Sequence, residues 1–199
     1  MSVKQHAPAT QRNREPIAKV LAAELPGSGR VLEIAAGTGE HAMFFAARFQ
    51  ALEWLPSDPS PEALASIEAW REDYEGDNLA EPVLLDAARR DWPVDRADAI
   101  LCINMVHISP WKASTGLFDG AARLLEKGAP LILYGPFFEP DVEPAPSNLD
   151  FDRSLKARDP RWGIRDLAEI DRLAERSGFT RTARCEMPAN NLTLVYRRK

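Results

Sequence analysis

The chain has 199 residues, 45% of them hydrophobic, enough for one well-buried core, so a single domain spanning residues 1–199 is expected. A formal charge of −5 argues against bulk electrostatic binding of nucleic acid, whose affinity comes largely from neutralising phosphates. Two cysteines, Cys102 and Cys185, cannot build a disulfide scaffold, no apolar run reaches membrane-span length and no signal peptide is recognised, so a cytoplasmic protein with reduced thiols is expected.

Residues 1–11 are polar and read as a flexible tail. Pro16 suits a first helical turn, and Ile17, Val20, Leu21 and Leu25 follow at helical spacing until Pro26-Gly27 stops the helix. Residues 31–34 form a short, continuously apolar strand. A small-residue turn over 35–39 follows, and from Glu40 a helix carries Ala42, Phe45, Ala46 and Phe49 on one face. Strand, glycine turn and helix together present backbone N–H groups and a helix N-terminus to a ligand. At Gly37 and Gly39 a β-carbon is expected to block either that ligand or the turn itself.

A second strand over 52–56 ends at Ser57-Asp58, and Ser60-Pro61 supplies an N-cap and first helical residue for Leu64, Ile67 and Trp70. A third strand, 83–85, ends at Asp86. A fourth, 99–103, leads into Asn104 and residues 105–109 at its carboxyl end. Ser109-Pro110 is expected to cap a helix bearing Leu117, Ala121, Leu124 and Leu125, and residues 130–134 form a fifth strand. Residues 135–164 are rich in proline and charge, with a short helix around 149–157. They are too long for an ordinary connection, which predicts a lid or acceptor-site insertion. A helix with Leu167, Ile170, Leu173 and Ala174 ends at Ser177-Gly178. Two last strands, 182–187 and 192–196, are joined by a hairpin turn at 188–191. The tally is an α/β fold: a mostly parallel sheet of seven strands with helices on both faces.

In such a sheet the ligand lies beyond the carboxyl ends of the strands, here marked by Glu33, Asp58, Asp86 and Asn104. Asp58 stands about twenty residues beyond the glycine turn, the separation at which an acid reaches a nucleoside ribose. A helix-cap role before Pro59 is the competing reading, and Asp86 could equally be a strand-end turn residue. His41 opens the helix after the glycine loop. His107 lies just past the fourth strand, where an acceptor would enter, and with Tyr134 it is the candidate for assisting catalysis. No histidine–cysteine cluster has zinc spacing, so no metal is expected.

The glycine turn lacks G-x-G-x-x-G, since Ala42 stands three residues after Gly39. The pattern Glu33-x-Ala35-x-Gly37-x-Gly39 resembles instead the first motif of class I S-adenosylmethionine (SAM) methyltransferases, with Ala35 replacing the commoner first glycine. That resemblance implies a Rossmann-like methyltransferase fold and SAM as cofactor. It implies that Glu33 orients a network near the methionine ammonium, that the glycines face the sulfonium, that Asp86 approaches the adenine amine, and that Asn104-Met105 faces the reacting methyl. A helix before the first strand often closes over SAM in that superfamily, which brings Arg12, Asn13 and Arg14 toward its carboxylate.

A narrower resemblance runs over essentially the whole chain. Residues 11–17, the run Cys102-Ile-Asn-Met-Val-His-Ile-Ser-Pro110, Tyr134-Gly-Pro136, 147–152, 159–166 and Met187-Pro-Ala-Asn-Asn191 are similar to the DUF938 family, that of methyltransferase-like protein 26. The family supplies no established acceptor. The expectation is methyl transfer to a small or medium-sized acceptor, with residues 147–166, including Asn148 and Arg153, and Asn190 and Asn191 on the acceptor side. The alternatives are a non-catalytic SAM-binding module and a nucleotide-dependent oxidoreductase.

Overall fold

The structure, a computed structural model, describes residues 3–199; residues 1 and 2 of the tail lie outside the described residues. Among the described residues six α-helices and nine strands largely alternate. They are α1 (Pro8–Glu24), β1 (Gly29–Ile34), α2 (Glu40–Arg48), β2 (Leu52–Asp58), α3 (Pro61–Glu72), β3 (Val83–Leu84), β4 (Ala99–Ile103) and α4 (Trp111–Leu124). After these come β5 (Pro130–Gly135), β6 (Phe137–Phe138), α5 (Pro146–Arg158), β7 (Arg165–Asp166), α6 (Leu167–Arg176), β8 (Phe179–Met187) and β9 (Asn191–Arg198).

Seven strands form one sheet in the order β3-β2-β1-β4-β5-β9-β8. The first five run parallel, and β9 pairs antiparallel with both β5 and β8. Period-two alternation divides the side chains between two cores. Leu32, Ile34, Ile100, Cys102, Leu131 and Leu133 face α4 and α6, packing with Leu117, Phe118 and Ile170. Val31, Ala99, Leu101, Ile103, Ile132 and Tyr134 face α1 and α2, packing with Ile17, Leu21 and Phe45. The register aligns Ile34 with Ser57 on one side and Cys102 on the other. The turns after β1, β2 and β4 therefore open at one sheet edge, where strand order reverses between β1 and β4.

Two expectations require correction. The first helix starts at Pro8, with Pro16 inside it. Both prolines suit a first helical position, but Thr10, Asn13, Ile17 and Leu21 form one buried stripe across Pro16. Burial of that stripe outweighs the roughly 3 kcal/mol that an interior proline costs. Residues 8–11 of the expected tail are thus helical. Ser109 does not cap α4; Pro110 holds the cap position, and the serine hydroxyl points to Met105 Sδ at 3.3 Å. A feature not read from the sequence is the parallel pairing of β6 and β7, Phe137 with Arg165 and Phe138 with Asp166, which folds the 135–164 insertion back across the sheet edge. Runs of two residues carry no period to read.

Candidate functional site

The turn after β1 is built on left-handed backbone: φ is +57° at Ala35, +59° at Gly37 and +89° at Gly39. Ala35 bears a β-carbon there at about 1–2 kcal/mol of strain, which explains why glycine is the easier residue. The two glycines do different work. A β-carbon on Gly37 would meet nothing within 4 Å, so its free side opens onto space for a ligand. A β-carbon on Gly39 would lie 2.8 Å from Ile67 Cα, so Gly39 lets the turn pack against α3.

Asp58 ties this turn to the end of β2. Its carboxylate accepts from Gly37 N at 3.0 Å and from Ser60 N at 2.9 Å. Burial raises its pKa, against the pull of those two N–H donors. Ser60 still caps α3 through Ala63 N, so the helix-cap role belongs to the serine. Glu33 is fully buried, and Trp54 Nε1 donates to it at 2.7 Å. Burial pushes its pKa up to about 7, the Trp54 bond opposes this, and the Asp58 charge adds to it.

These groups border a cavity of about 650 Å³ at the carboxyl ends of β1, β2, β3 and β4. Of the expected site residues, Glu33, Ala35, Gly37, His41, Asp58, Asp86, Asn104 and Met105 line it. Asn104 adopts φ +64°, with its N–H on Tyr134 O, and this bend launches the single helical turn Met105–His107 that brings Ile108 and Ser109 to the cavity.

Asn13 and Tyr134 stand one residue behind the wall. His41 Nε2 meets Asn13 Oδ1 at 2.8 Å, and burial raises the Tyr134 pKa while the nearby Asn13 side chain opposes this. This buried polar contact links α2 and α1. Arg14 lies with its guanidinium 4.7 Å over Phe44 and its buried Nε unpartnered among the described residues, away from the lining. Burial lowers the His41 pKa to about 4, Glu40 opposing and Arg14 assisting. His107, the last residue of that turn, is buried against Gly135 and edge-on to Phe151 at 5.6 Å. Burial, then Arg165 and Arg158, lowers its pKa to about 3. Both rings are neutral at pH 7, and neither is a strong base.

The insertion reaches the cavity through Asp159, Arg161 and Trp162. Asn148, Asn190 and Asn191 instead border a separate 240 Å³ cavity with Phe137, Glu139 and Arg184. There Asn190 O accepts from Asn148 Nδ2 at 3.0 Å, and Asn191 satisfies the hairpin carbonyls of Pro188 and Ala189. Arg153 is exposed and paired with Asp150. Among the described residues no group of three or more His, Cys, Asp or Glu could hold a metal ion, and no helix is long and apolar enough to cross a membrane.

Reading the sequence missed the N-terminal wall, Ala7, Ala9 and Thr10. Residues 4–7 form a strap held at several points. Lys4 pairs with Asp73, Gln5 N donates to Ser66 Oγ at 2.8 Å, and Trp70 Nε1 donates to Gln5 O at 3.1 Å. Glu40 holds the last of it, accepting from Ala7 N at 2.6 Å and meeting His6 Nδ1 at 3.1 Å. Pro8 in a first helical position was the available signal. Removing residues 1–6 is expected to weaken S-adenosylhomocysteine binding several-fold by calorimetry while the melting temperature moves little. Unchanged affinity counts against a cofactor-covering role for the strap.

A family model described as "Protein of unknown function (DUF938)" matches residues 4–198. Among solved structures, an O-methyltransferase family 2 protein from Planctomyces limnophilus in complex with apigenin has a TM-score of 0.81 at 19% identity, over 94% of this chain and 56% of that one. An O-methyltransferase family protein from Burkholderia thailandensis gives 0.78 at 15%, over 93% and 56%. Human N-acetylserotonin methyltransferase in complex with SAM gives 0.70 at 12%, over 85% and 47%. The chain spans about half the length of these proteins. At such identities the likeness shows the fold alone, and that fold is the Rossmann-like class I methyltransferase fold.

Proposed function

The chain belongs to the DUF938 family, and from that premise and the cavity's geometry we propose that it is a SAM-dependent methyltransferase acting on a small or medium-sized acceptor. One observation carries the cofactor reading. Asp58 lines the cavity while two backbone N–H groups fix its carboxylate against the glycine turn, at the switch point of the sheet. A carboxylate so held keeps lone pairs for a pair of ribose hydroxyls. The open space beside Gly37 fits a ligand in close backbone contact. Glu33, its pKa near 7, ionises readily once a cationic group such as an ammonium enters, and Asp86 offers an acceptor to an exocyclic amine.

SAM, when bound, supplies a methyl group activated on a sulfonium. The chain's own contribution is positioning, which in well-oriented systems is worth effective molarities of about 10⁵–10⁸ M. His41 and His107 are neutral and weakly basic, so an acceptor that arrives with its lone pair free suits this cavity best. The buried His41–Asn13 hydrogen bond ties α1 to α2 beside the site.

Thermal-shift titration tests the cofactor class. SAM and S-adenosylhomocysteine are expected to raise the melting temperature in a concentration-dependent way, and NAD and NADP to leave it unchanged. Stabilisation by NAD or NADP alone would return the site to the oxidoreductases.

A further inference from the structure

We propose that the methyl acceptor is a neutral, flat heteroaromatic that takes the methyl group on a ring nitrogen, so that the positive charge ends on the acceptor; the proposal rests on the methyltransferase reading of the cavity. Two kinds of lining meet there. Glu33, Asp58 and Asp86 stand at or just past the ends of β1, β2 and β3 and suit the hydroxyls and cationic groups of the cofactor. The remaining lining includes Met105, Ile108, Pro110 and Trp162, with the Asp159–Arg161 pair. Ile108 is 37% exposed, an apolar side chain left uncovered at the cavity. Apolar groups beside an indole offer a flat apolar body a place to lie.

Charge on this second part is balanced, and the cavity as a whole is acidic. Among the described residues that line it, Arg161 is the only Lys or Arg, and it grips Asp159 at 2.7 and 3.0 Å. Arg158 lies 5.3 Å from the Trp162 ring centroid, but it stands outside the lining on an exposed side chain, where water and salt screen it. Glu33 and Asp58 have no cationic partner among the described residues, and Asp86 has only the exposed Arg89 at 3.8 Å. A neutral acceptor enters such a cavity without electrostatic cost. An alkoxide, a thiolate or a carboxylate would meet like charge.

The choice of nucleophile follows from where the lining's basic groups are spent. A hydroxyl or thiol acceptor must shed a proton to a base at the cavity. His41 has Nε2 on Asn13 Oδ1 at 2.8 Å, and burial lowers its pKa to about 4. Asp159 accepts from the Arg161 guanidinium and from Arg161 N at 2.9 Å, which holds its pKa at about 2. Glu33 is the more basic carboxylate, but it is fully buried, accepts from Trp54 Nε1, and in the reading above is taken by the cofactor's ammonium. A ring nitrogen of the pyridine kind needs no base, because at neutral pH it is unprotonated with its lone pair in the ring plane. That lone pair forms the new N–C bond as the S–C bond breaks, and the bond pair stays on sulfur. No proton moves. The positive charge passes from sulfur to the ring and stays inside the same acidic cavity.

The test uses flat bicyclic probes of one size: isoquinoline, its methylated cation 2-methylisoquinolinium, and 2-naphthol. In calorimetric titrations of protein saturated with S-adenosylhomocysteine, the cation is expected to bind about tenfold more tightly than 2-naphthol at low salt. That gap should close as salt shortens the screening length. With SAM at neutral pH, mass spectrometry is expected to find 2-methylisoquinolinium formed from isoquinoline and no methyl ether formed from 2-naphthol. Trp162→Leu is expected to weaken binding of isoquinoline and its cation several-fold, and Trp162→Phe to retain most of it, with the melting temperature of each variant close to wild type. Methyl transfer to naphthol instead of isoquinoline, no transfer to isoquinoline by protein that binds SAM, equal affinity for cation and naphthol, or wild-type affinities in folded Trp162→Leu overturns the proposal. Failure of S-adenosylhomocysteine itself to bind removes the methyltransferase reading separately, and the cation and naphthol in ligand-free protein still read the charge preference of the cavity.

Discussion

Asp58→Asn is expected to bind S-adenosylhomocysteine about 10- to 100-fold more weakly than the wild type, with a smaller loss of stability than Asp58→Ala. The carboxylate already accepts Gly37 N–H and Ser60 N–H, one on each oxygen. Replacement by alanine would strand both donors, and each buried unpaired group costs about 1–3 kcal/mol, so the turn would loosen together with the ligand. Asparagine keeps one acceptor oxygen and nearly the same volume, so it strands one of the two donors where alanine strands both, and it removes the charge. What it loses is the charge-assisted part of two ribose hydrogen bonds, about 1.5–3 kcal/mol. Burial penalises the ionised form of Asp58, so loss of the charge offsets part of the cost of the stranded donor and the variant should still fold. Calorimetry reads the affinity. Wild-type affinity in a folded variant would remove Asp58 from the ribose.

The strand ends of this protein were legible because they follow from a rule of backbone geometry. In a parallel sheet every strand delivers its last residue to the same edge, so marking where each apolar run stops places Glu33, Asp58, Asp86 and Asn104 together. The structure brings all four to one cavity. Gly37 and Gly39 were harder to separate, since φ is positive at both. Only the neighbour across the turn tells them apart: Ile67 beside Gly39, open space beside Gly37. The N-terminal strap was hidden because its bonds join residues more than 30 apart, such as Ala7 to Glu40 and Gln5 to Ser66. Local polarity reads as looseness when its partners are remote in sequence.

The 135–164 insertion shows the same limit from the other side. Its length and composition marked it for the ligand-bearing edge, and Asp159, Arg161 and Trp162 reach the cavity. Which polar residues do so depends on how the insertion folds back. The β6–β7 pair and the Arg165 contacts to Val106 and Ser109 bring its last turn to the cavity, while Asn148 turns to the β8–β9 hairpin.

His107→Leu is expected to change sign in its effect on stability as pH falls. The wild-type imidazole is held neutral, its pKa lowered to about 3 by burial and by Arg165 and Arg158, against 6.5 in the unfolded chain. A depressed folded pKa contributes stability that is fully present above pH 6.5. That stability is lost as pH falls toward the folded value, because the unfolded state takes up the proton first. At about 1.4 kcal/mol per pKa unit, the wild type has lost roughly 3 kcal/mol from this residue by pH 4.5. Leucine has no proton to gain, so the variant escapes that loss. His41, with a folded pKa of about 4, adds a parallel loss in both proteins. Glu33 works in the opposite sense: its raised pKa contributes stability at low pH that is lost as pH climbs through 7. Both effects cancel in the comparison of variant with wild type. At pH 7.5 the leucine should cost about 1–2 kcal/mol through its different shape against Gly135 and Phe151. At pH 4.5 it should be the more stable protein, by about 1–2 kcal/mol. Urea unfolding at the two pH values measures this directly, and a stability difference that stays constant between them would mean that the imidazole is not held neutral in the fold.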